Sequence, residues 1–275
     1  MIRTLVLPTP ADVGEAAADE IAAVVAERPD AVLGLATGDS PLGAYSTLAD
    51  RVQRGELDLS RARGFALDEY VGLDPADPQS YRSVIDRTVT TPLRMRRAVV
   101  RVPDGAAADL AAAADEYERA LEESGVDIQV LGIGSNGHIG FNEPGSAFGT
   151  RTRVVELSER TRLDNARFFP SLADVPTHAL TQGLGTIMRA RRIVLVAIGE
   201  RKADAITAAV EGPISVDCPA SVLQAHPHVL LIADEAAGSR LTDSGPCNIV
   251  RTNSEVRAWR GAGTRAPSLP SFSRH

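Results

Sequence analysis

The stretch 126–144, VDIQVLGIGSNGHIGFNEP, decides the fold. It begins with an apolar run, residues 126–133, of the length of a buried strand. It then turns through Gly132, Gly134 and Gly137. An apolar run ending in glycines is how a buried parallel strand meets an active-site loop. Glycine permits backbone angles and close ligand approach that a Cβ would forbid. Within eight positions the loop presents Asn136, His138 and Glu143. Imidazole, amide and carboxylate this close can form a proton-transfer group, with His138 as the mobile base. The plainer alternative is a structural turn whose histidine is merely hydrogen-bonded.

The pattern of strand, turn and helix recurs upstream. Residues 1–7 read as a strand. Residues 11–27 read as an amphipathic helix carrying Val13, Ala17, Ile21, Val24 and Val25, with Thr9 or Asp12 as its cap. Residues 31–36 are a second apolar strand. Thr37-Gly38-Asp39-Ser40-Pro41 follows and opens a helical pattern. A strand, a small-residue turn and a helix start make an anion site, because free amides and the positive helix end point at the ligand. As a lone signal the same turn also reads as an N-cap. Residues 63–67 are a third strand, ending in Asp68-Glu69. Acids beyond a strand's carboxyl end sit where open α/β sheets bind ligands, though a cap or solvated pair reads equally well. Residues 74–81 hold Pro75 and Pro78 and are irregular; 83–89 read as a short helix and 98–102 as a strand. Residues 106–124 read as an amphipathic helix with glutamates and Arg119 on one side and Gly125 as its stop.

Downstream, 151–157 alternate as a half-exposed strand, and 158–169 read as a helix with Arg160, Arg162 and Arg167. Residues 170–176 are a break between prolines. Residues 193–198 form another strand. Gly199-Glu200-Arg201-Lys202 then turns into a helix running to 211. Residues 229–234 are the last clear strand. Beyond about 236 the apolar periodicity fades; 261–275 read as a disordered tail, with Trp259 as its docking point. Strands alternating with helices, without repeat or linker, predict an α/β fold and a single domain over 1–260.

Composition bounds the function. The chain has 275 residues, 44% of them apolar and 24% charged, enough for a substantial core. A formal charge of −7 disfavours nucleic-acid or anionic-membrane partners. Cys218 and Cys247 define neither a disulfide framework nor a zinc site, and reduced thiols fit a cytoplasmic protein. No apolar run has the length of a membrane span, and the N-terminal one is too short for a signal peptide.

NGHIGFNEP, residues 136–144, resembles the signature of the glucosamine-6-phosphate deaminases. Segments with TGDSP, LDEYVGL, TRLDNARFFP, TQGLGTIM, KADAITAAVEG and ASVLQAHP are similar to that family in the same order, over about residues 1–234. The resemblance implies a Rossmann-like, open, mostly parallel sheet with helices on both faces, of the sugar-phosphate isomerase type. It implies conversion of D-glucosamine 6-phosphate and water to D-fructose 6-phosphate and ammonia, in amino-sugar catabolism. Asp68 would abstract the C2 proton and His138 would open the ring, oriented by Glu143 and Asn136. Thr37, Gly38, Ser40, Gly137, Arg167 and Lys202 would bind substrate, and residues 158–180 would form a lid. The expected partner is a small sugar phosphate, with no metal or organic cofactor; a homo-oligomer stays open. Asp39 departs from the family's TGGTP-like loop, and its side chain is expected to face away from the phosphate, since like charges repel. Val155, followed by Glu156, replaces a lysine of the family's allosteric site, which argues against activation by N-acetylglucosamine 6-phosphate. Alternatives are a galactosamine-6-phosphate deaminase, a 6-phosphogluconolactonase-like hydrolase, disfavoured by DEYVG and NGHIGFNEP, and a non-catalytic sugar-phosphate sensor.

Overall fold

The structure, a computed structural model, describes residues 2–242 and 248–250. The expectations placed on Cys247, on Trp259 and on the 261–275 tail lie outside the described residues.

The chain runs β1 (Arg3–Leu7), α1 (Pro10–Glu27), β2 (Val32–Leu35), α2 (Asp39–Gln53), β3 (Arg63–Ala66), β4 (Asp68–Tyr70), α3 (Tyr81–Ile85), β5 (Val100–Arg101), α4 (Leu110–Ser124) and β6 (Ile128–Leu131). It continues through β7 (Arg153–Glu156), α5 (Glu159–Asn165), β8 (His178–Thr181), α6 (Leu184–Ile187), β9 (Ile193–Ala197), α7 (Ala203–Val210), β10 (Val229–Asp234) and β11 (Asn248–Val250). Eight strands form one sheet in the order β11-β1-β10-β9-β6-β2-β3-β5. Every pairing in it is parallel. Strands covered on both faces read as near-continuous apolar runs. Accordingly β2, β6, β9 and β10 are buried at every position.

From β1 the chain steps to β2, β3 and β5 in one direction. From β6 it steps to β9 and β10 in the other. Right-handed crossovers then set α1 and α2 on one face and α4 and α7 on the other. α1 and α2 pack against each other. Their approach is close because Gly14 meets Gly43: a Cβ on Gly14 would lie 2.8 Å from the Gly43 carbonyl carbon. Thr9 and Asp12 cap α1 reciprocally, and Pro10 fills its first turn. The winding reverses between β2 and β6, which are paired neighbours. The crevice outside the carboxyl ends of such a pair is where open α/β sheets bind ligands.

Several boundaries differ from the sequence reading. α4 begins at Leu110, not 106, because Asp109 caps it by accepting from Ala112 N. Its Glu118 is no solvated glutamate but 1% exposed. Thr152 N at 2.9 Å, the hydroxyls of Thr152 and Thr186, and Arg189 all donate to that carboxylate. The expected helix over 83–89 is α3 followed by a wider turn, Asp86–Thr90. The helix over 158–169 ends at Asn165, and a tight turn, Ala166–Phe168, follows.

A three-stranded antiparallel sheet, β4-β8-β7, was not expected. Residues 68–70 form its first strand rather than a loop beyond β3. β8 is four residues whose partners lie far off in sequence. Tyr70, Phe141, Leu157 and Ala179 make the apolar cluster beneath it. β11 likewise lies past the point where periodicity fades, at the sheet edge beside β1. Among the described residues no helix is long and apolar enough to cross a membrane.

Candidate active site

The loop after β2 carries Thr37, Gly38 and Ser40. Gly38 caps α2 at φ 91°, a left-handed angle suited to glycine, and among the described residues no side-chain cap hydrogen bond is made there. Ser40 is the second helical residue and Pro41 the third. These amides face the end of the crevice as an anion-binding group. The hydroxyl of Tyr81 faces Thr37, and it lies 3.3 Å from that of Tyr70.

The loop after β6 folds back tightly. Gly134 N donates to His138 O at 2.9 Å, and Gly137 N to Gly134 O at 3.0 Å. The imidazole of His138 lies over Gly134 so closely that a Cβ there would collide with the ring. Gly137 takes φ 85°, with Cys218 Sγ only 2.6 Å from where its Cβ would stand. Asn136 holds both neighbours. Its Oδ1 accepts from His138 N at 3.3 Å, and its Nδ2 donates to Glu143 Oε2 at 2.7 Å. His138 Nδ1 faces the same carboxylate oxygen at 3.7 Å and has no hydrogen-bond partner among the described residues. Contacts between catalytic groups are often long in ligand-free proteins and tighten in the complex. The other oxygen of Glu143 accepts from Ser158 Oγ at 3.1 Å and from Thr161 Oγ1. Burial alone would raise the Glu143 pKa. His138, Thr161 and Asn136 outweigh it and hold the group at about 2, fully ionised.

Asp68 reaches the same place by another route. It pairs across β4 and β8 with Thr181. Thr181 Oγ1 accepts from Phe141 N at 3.2 Å, which ties that pair to the histidine loop. A Cβ on Gly140 would stand 3.1 Å from Thr181 Oγ1 and 3.6 Å from Asp68 Oδ2. Burial, then the charge of Glu69, pushes the Asp68 pKa up to about 8. Glu69 itself is occupied, accepting the amides of Tyr70, Tyr81 and Arg82, each at 2.8 Å.

Arg167 lies in the turn after α5, and Lys202 lies between β9 and α7. Lys202 feels the charges of Arg167 and Asp39, so the cations and the β2 loop share one neighbourhood. Burial pulls the Lys202 pKa down. The expectation that Asp39 faces away is wrong. Its Oδ2 accepts from Arg167 Nη2 at 2.7 Å. Opposite charges brought together at the start of α2 pair, whatever the loop also binds.

The sequence reading missed Ser158, Thr161, Thr181 and Tyr81. Ser158 carries only the signal of a helix cap, which it is, and Thr161 is the residue whose amide it caps. Nothing local connects Thr181 to Asp68. Among the described residues no group of His, Cys, Asp and Glu is arranged for a metal ion.

Carboxylate, imidazole and cations at the switch point of a parallel sheet are the layout of an acid–base enzyme of the open α/β class. The chain belongs to the family of glucosamine-6-phosphate isomerases and 6-phosphogluconolactonase, whose model matches residues 9–231. The glucosamine-6-phosphate deaminase of Pseudarthrobacter chlorophenolicus is 58% identical over 230 residues, 83% of this chain and 88% of that one. That of Bifidobacterium longum is 48% identical over 271 residues, 95% of this chain and all, 100%, of its own. A solved monomeric glucosamine-6-phosphate deaminase of the NagB superfamily superposes with a TM-score of 0.85 at 41% identity, covering 87% of this chain and 100% of that one. The 6-phosphogluconolactonase of Trypanosoma brucei has a TM-score of 0.72 at 19% identity over 88% of this chain and 99% of that one, a likeness of fold alone.

Proposed function

We propose that this chain is a glucosamine-6-phosphate deaminase of amino-sugar catabolism, turning D-glucosamine 6-phosphate and water into D-fructose 6-phosphate and ammonia. The phosphate is held by the β2 loop with Arg167 and Lys202, by charge and by free amides together. His138 takes a proton from the anomeric hydroxyl and returns one to the ring oxygen, which opens the ring. Glu143 and Asn136 orient the imidazole. Asp68 removes the C2 proton, giving an enolamine, and reprotonation at C1 gives the imine. Water adds at C2 and ammonia leaves. A base whose pKa lies near 8 suits proton abstraction near neutrality.

The observation that carries this reading is the meeting of Asp68 with the His138–Glu143 loop across Thr181. A lactonase needs no buried base against the substrate's C2, and relatives 48% and 58% identical bear the deaminase name. The segment 158–180 acts as the lid, a reading supported by Arg167, which it brings to Asp39 at the start of α2; the catalytic domain is taken as 1–260, of which 243–247 and 251–260 lie outside the described residues. All these groups come from one chain, so the reading asks for no second copy. A cytoplasmic setting follows from a charged substrate that does not cross a bilayer unaided.

The test is ammonia release from glucosamine 6-phosphate against galactosamine 6-phosphate. Turnover of the first at ten or more times the rate of the second is expected. No ammonia from either ends the proposal. Arg153 is engaged with Asn142 and Ser146, and Val155 and Glu156 supply no second cation. Added N-acetylglucosamine 6-phosphate should therefore leave the rate unchanged.

A further inference from the structure

Glu143 has two carboxylate oxygens with different neighbours. Oε2 faces Asn136 Nδ2 at 2.7 Å and His138 Nδ1 at 3.7 Å. Oε1 faces away from the loop, toward the start of α5. There Ser158 Oγ approaches it at 3.1 Å, and Thr161 Oγ1 donates to it. An ionised carboxylate has no proton to give, so the single hydroxyl proton of Thr161 is committed to Glu143. Thr161 is 3% exposed, so water does not replace it readily. Ser158 is placed by its own duty: as the N-cap of α5, it accepts from Thr161 N at 3.2 Å. The two hydroxyls lie 3.1 Å apart and share one oxygen of the acid.

We infer that Thr161 is a positioning residue of the acid–base group: its hydroxyl, delivered by α5, fixes Glu143 by one oxygen so that the other stays turned to His138. The inference rests on the deaminase reading and extends it. The same short helix leads into the turn that bears Arg167. The element that reaches for the phosphate therefore also completes the imidazole's support. With α5 displaced, Glu143 keeps only Asn136 as a fixed donor and its carboxylate is free to rotate. Thr161 touches no reacting atom; it acts through Glu143.

The test compares Thr161→Val, which keeps shape and loses the hydroxyl, with Thr161→Ser, which keeps the hydroxyl and loses the methyl. Thr161→Val should lower kcat about ten- to a hundred-fold, the worth of one hydrogen bond to a charged group. Its KM should move less than about three-fold, because the phosphate contacts are untouched. Thr161→Ser should recover kcat to within about three-fold of the parent enzyme. In a Glu143→Gln background the valine change should add almost nothing, since groups that act together are not additive. Equal kcat in the valine and parent enzymes overturns the inference, as does a folded serine variant as slow as the valine one. Should Thr161→Val fail to fold, Thr161→Ala takes its place: the same loss of kcat, about ten- to a hundred-fold, is expected, and a parent-like kcat overturns the inference. Failure of the deaminase reading looks different: the parent enzyme itself then releases no ammonia.

Discussion

Asp39 Oδ2 accepts a hydrogen bond from Arg167 Nη2 at 2.7 Å, so an acid of the β2 loop occupies a cation expected to hold the substrate's phosphate. The pair is open to solvent, with Arg167 51% and Asp39 65% exposed. Exposed ion pairs are worth roughly 0–1 kcal/mol, so substrate can displace this one. It must still do so against a nearby negative charge. Asp39→Ser should therefore lower KM about three- to ten-fold and leave kcat unchanged, the gain shrinking at high salt. Inorganic phosphate should inhibit the variant more strongly. A KM that rises or holds steady would mean that Asp39 never competes.

Asp68 gives the protein a pH signature of known sign. Its pKa is raised to about 8, so the folded state holds a proton that the unfolded chain releases near pH 4. Between those values the folded state binds more protons, and stability falls as pH rises. Above about 8 the loss is complete. Asp68→Asn removes this titration and should abolish turnover while stabilising the fold. Its Tm should match the parent near pH 4 and exceed it by about 5 °C or more at pH 8.5. In the parent enzyme kcat/KM should climb with pH to a midpoint near 8. Parallel Tm curves across that window would show that Asp68 is not buried as a neutral acid.

Gly134 and Gly132 form a matched pair for testing the histidine loop. A Cβ on Gly134 would strike the His138 ring, whereas one on Gly132 would have nothing within 4 Å. Gly134→Ala should push the imidazole off Glu143 and lower kcat at least about a hundred-fold, since misplacement by about an ångström can do this. Gly132→Ala should stay within about three-fold of the parent. Protection of both variants by inorganic phosphate in thermal melting shows that the anion pocket survives. Similar kinetics for the two alanine variants would contradict the ring placement.

How much of this was legible depended on range. The strands β2, β6, β9 and β10 are buried at every position and apolar almost throughout, Gln129 and Asp234 apart, so each announces itself locally. Asn136, His138 and Glu143 sit within one loop, and their spacing alone makes a shared site plausible. Asp68 is different. Its place beside that loop comes from pairing with Thr181, more than a hundred positions away, and no local pattern encodes it. Asp39 was misread for the same reason, because its partner lies 128 positions on. Motifs name the chemical groups; side-chain direction is set by partners from elsewhere in the chain.

Glu118 repeats that lesson in the core and supports the last prediction. Read along α4, it is one glutamate among several. In the fold it alone is sealed at 1% exposure, between Thr152 beside β7, Thr186 of α6, and Arg189. Burial raises its pKa, but the donors from Thr152, Arg189 and Thr186 outweigh this and hold it below the ordinary value. It thus staples three elements together as an ion. Glu118→Ala leaves the buried donors of Thr152 and Thr186 unpaired and strips the half-exposed Arg189 of its partner, and should cost about 3–5 kcal/mol, roughly 6–20 °C in Tm. Glu118→Gln keeps the shape and should lose less. A depressed carboxyl stabilises above its unfolded pKa and loses that contribution as pH falls through the folded one. The Tm gap between parent and Glu118→Gln should accordingly be full at pH 7 and narrow below pH 4. A gap that stays constant on acidification would mean that charge is not what the staple uses.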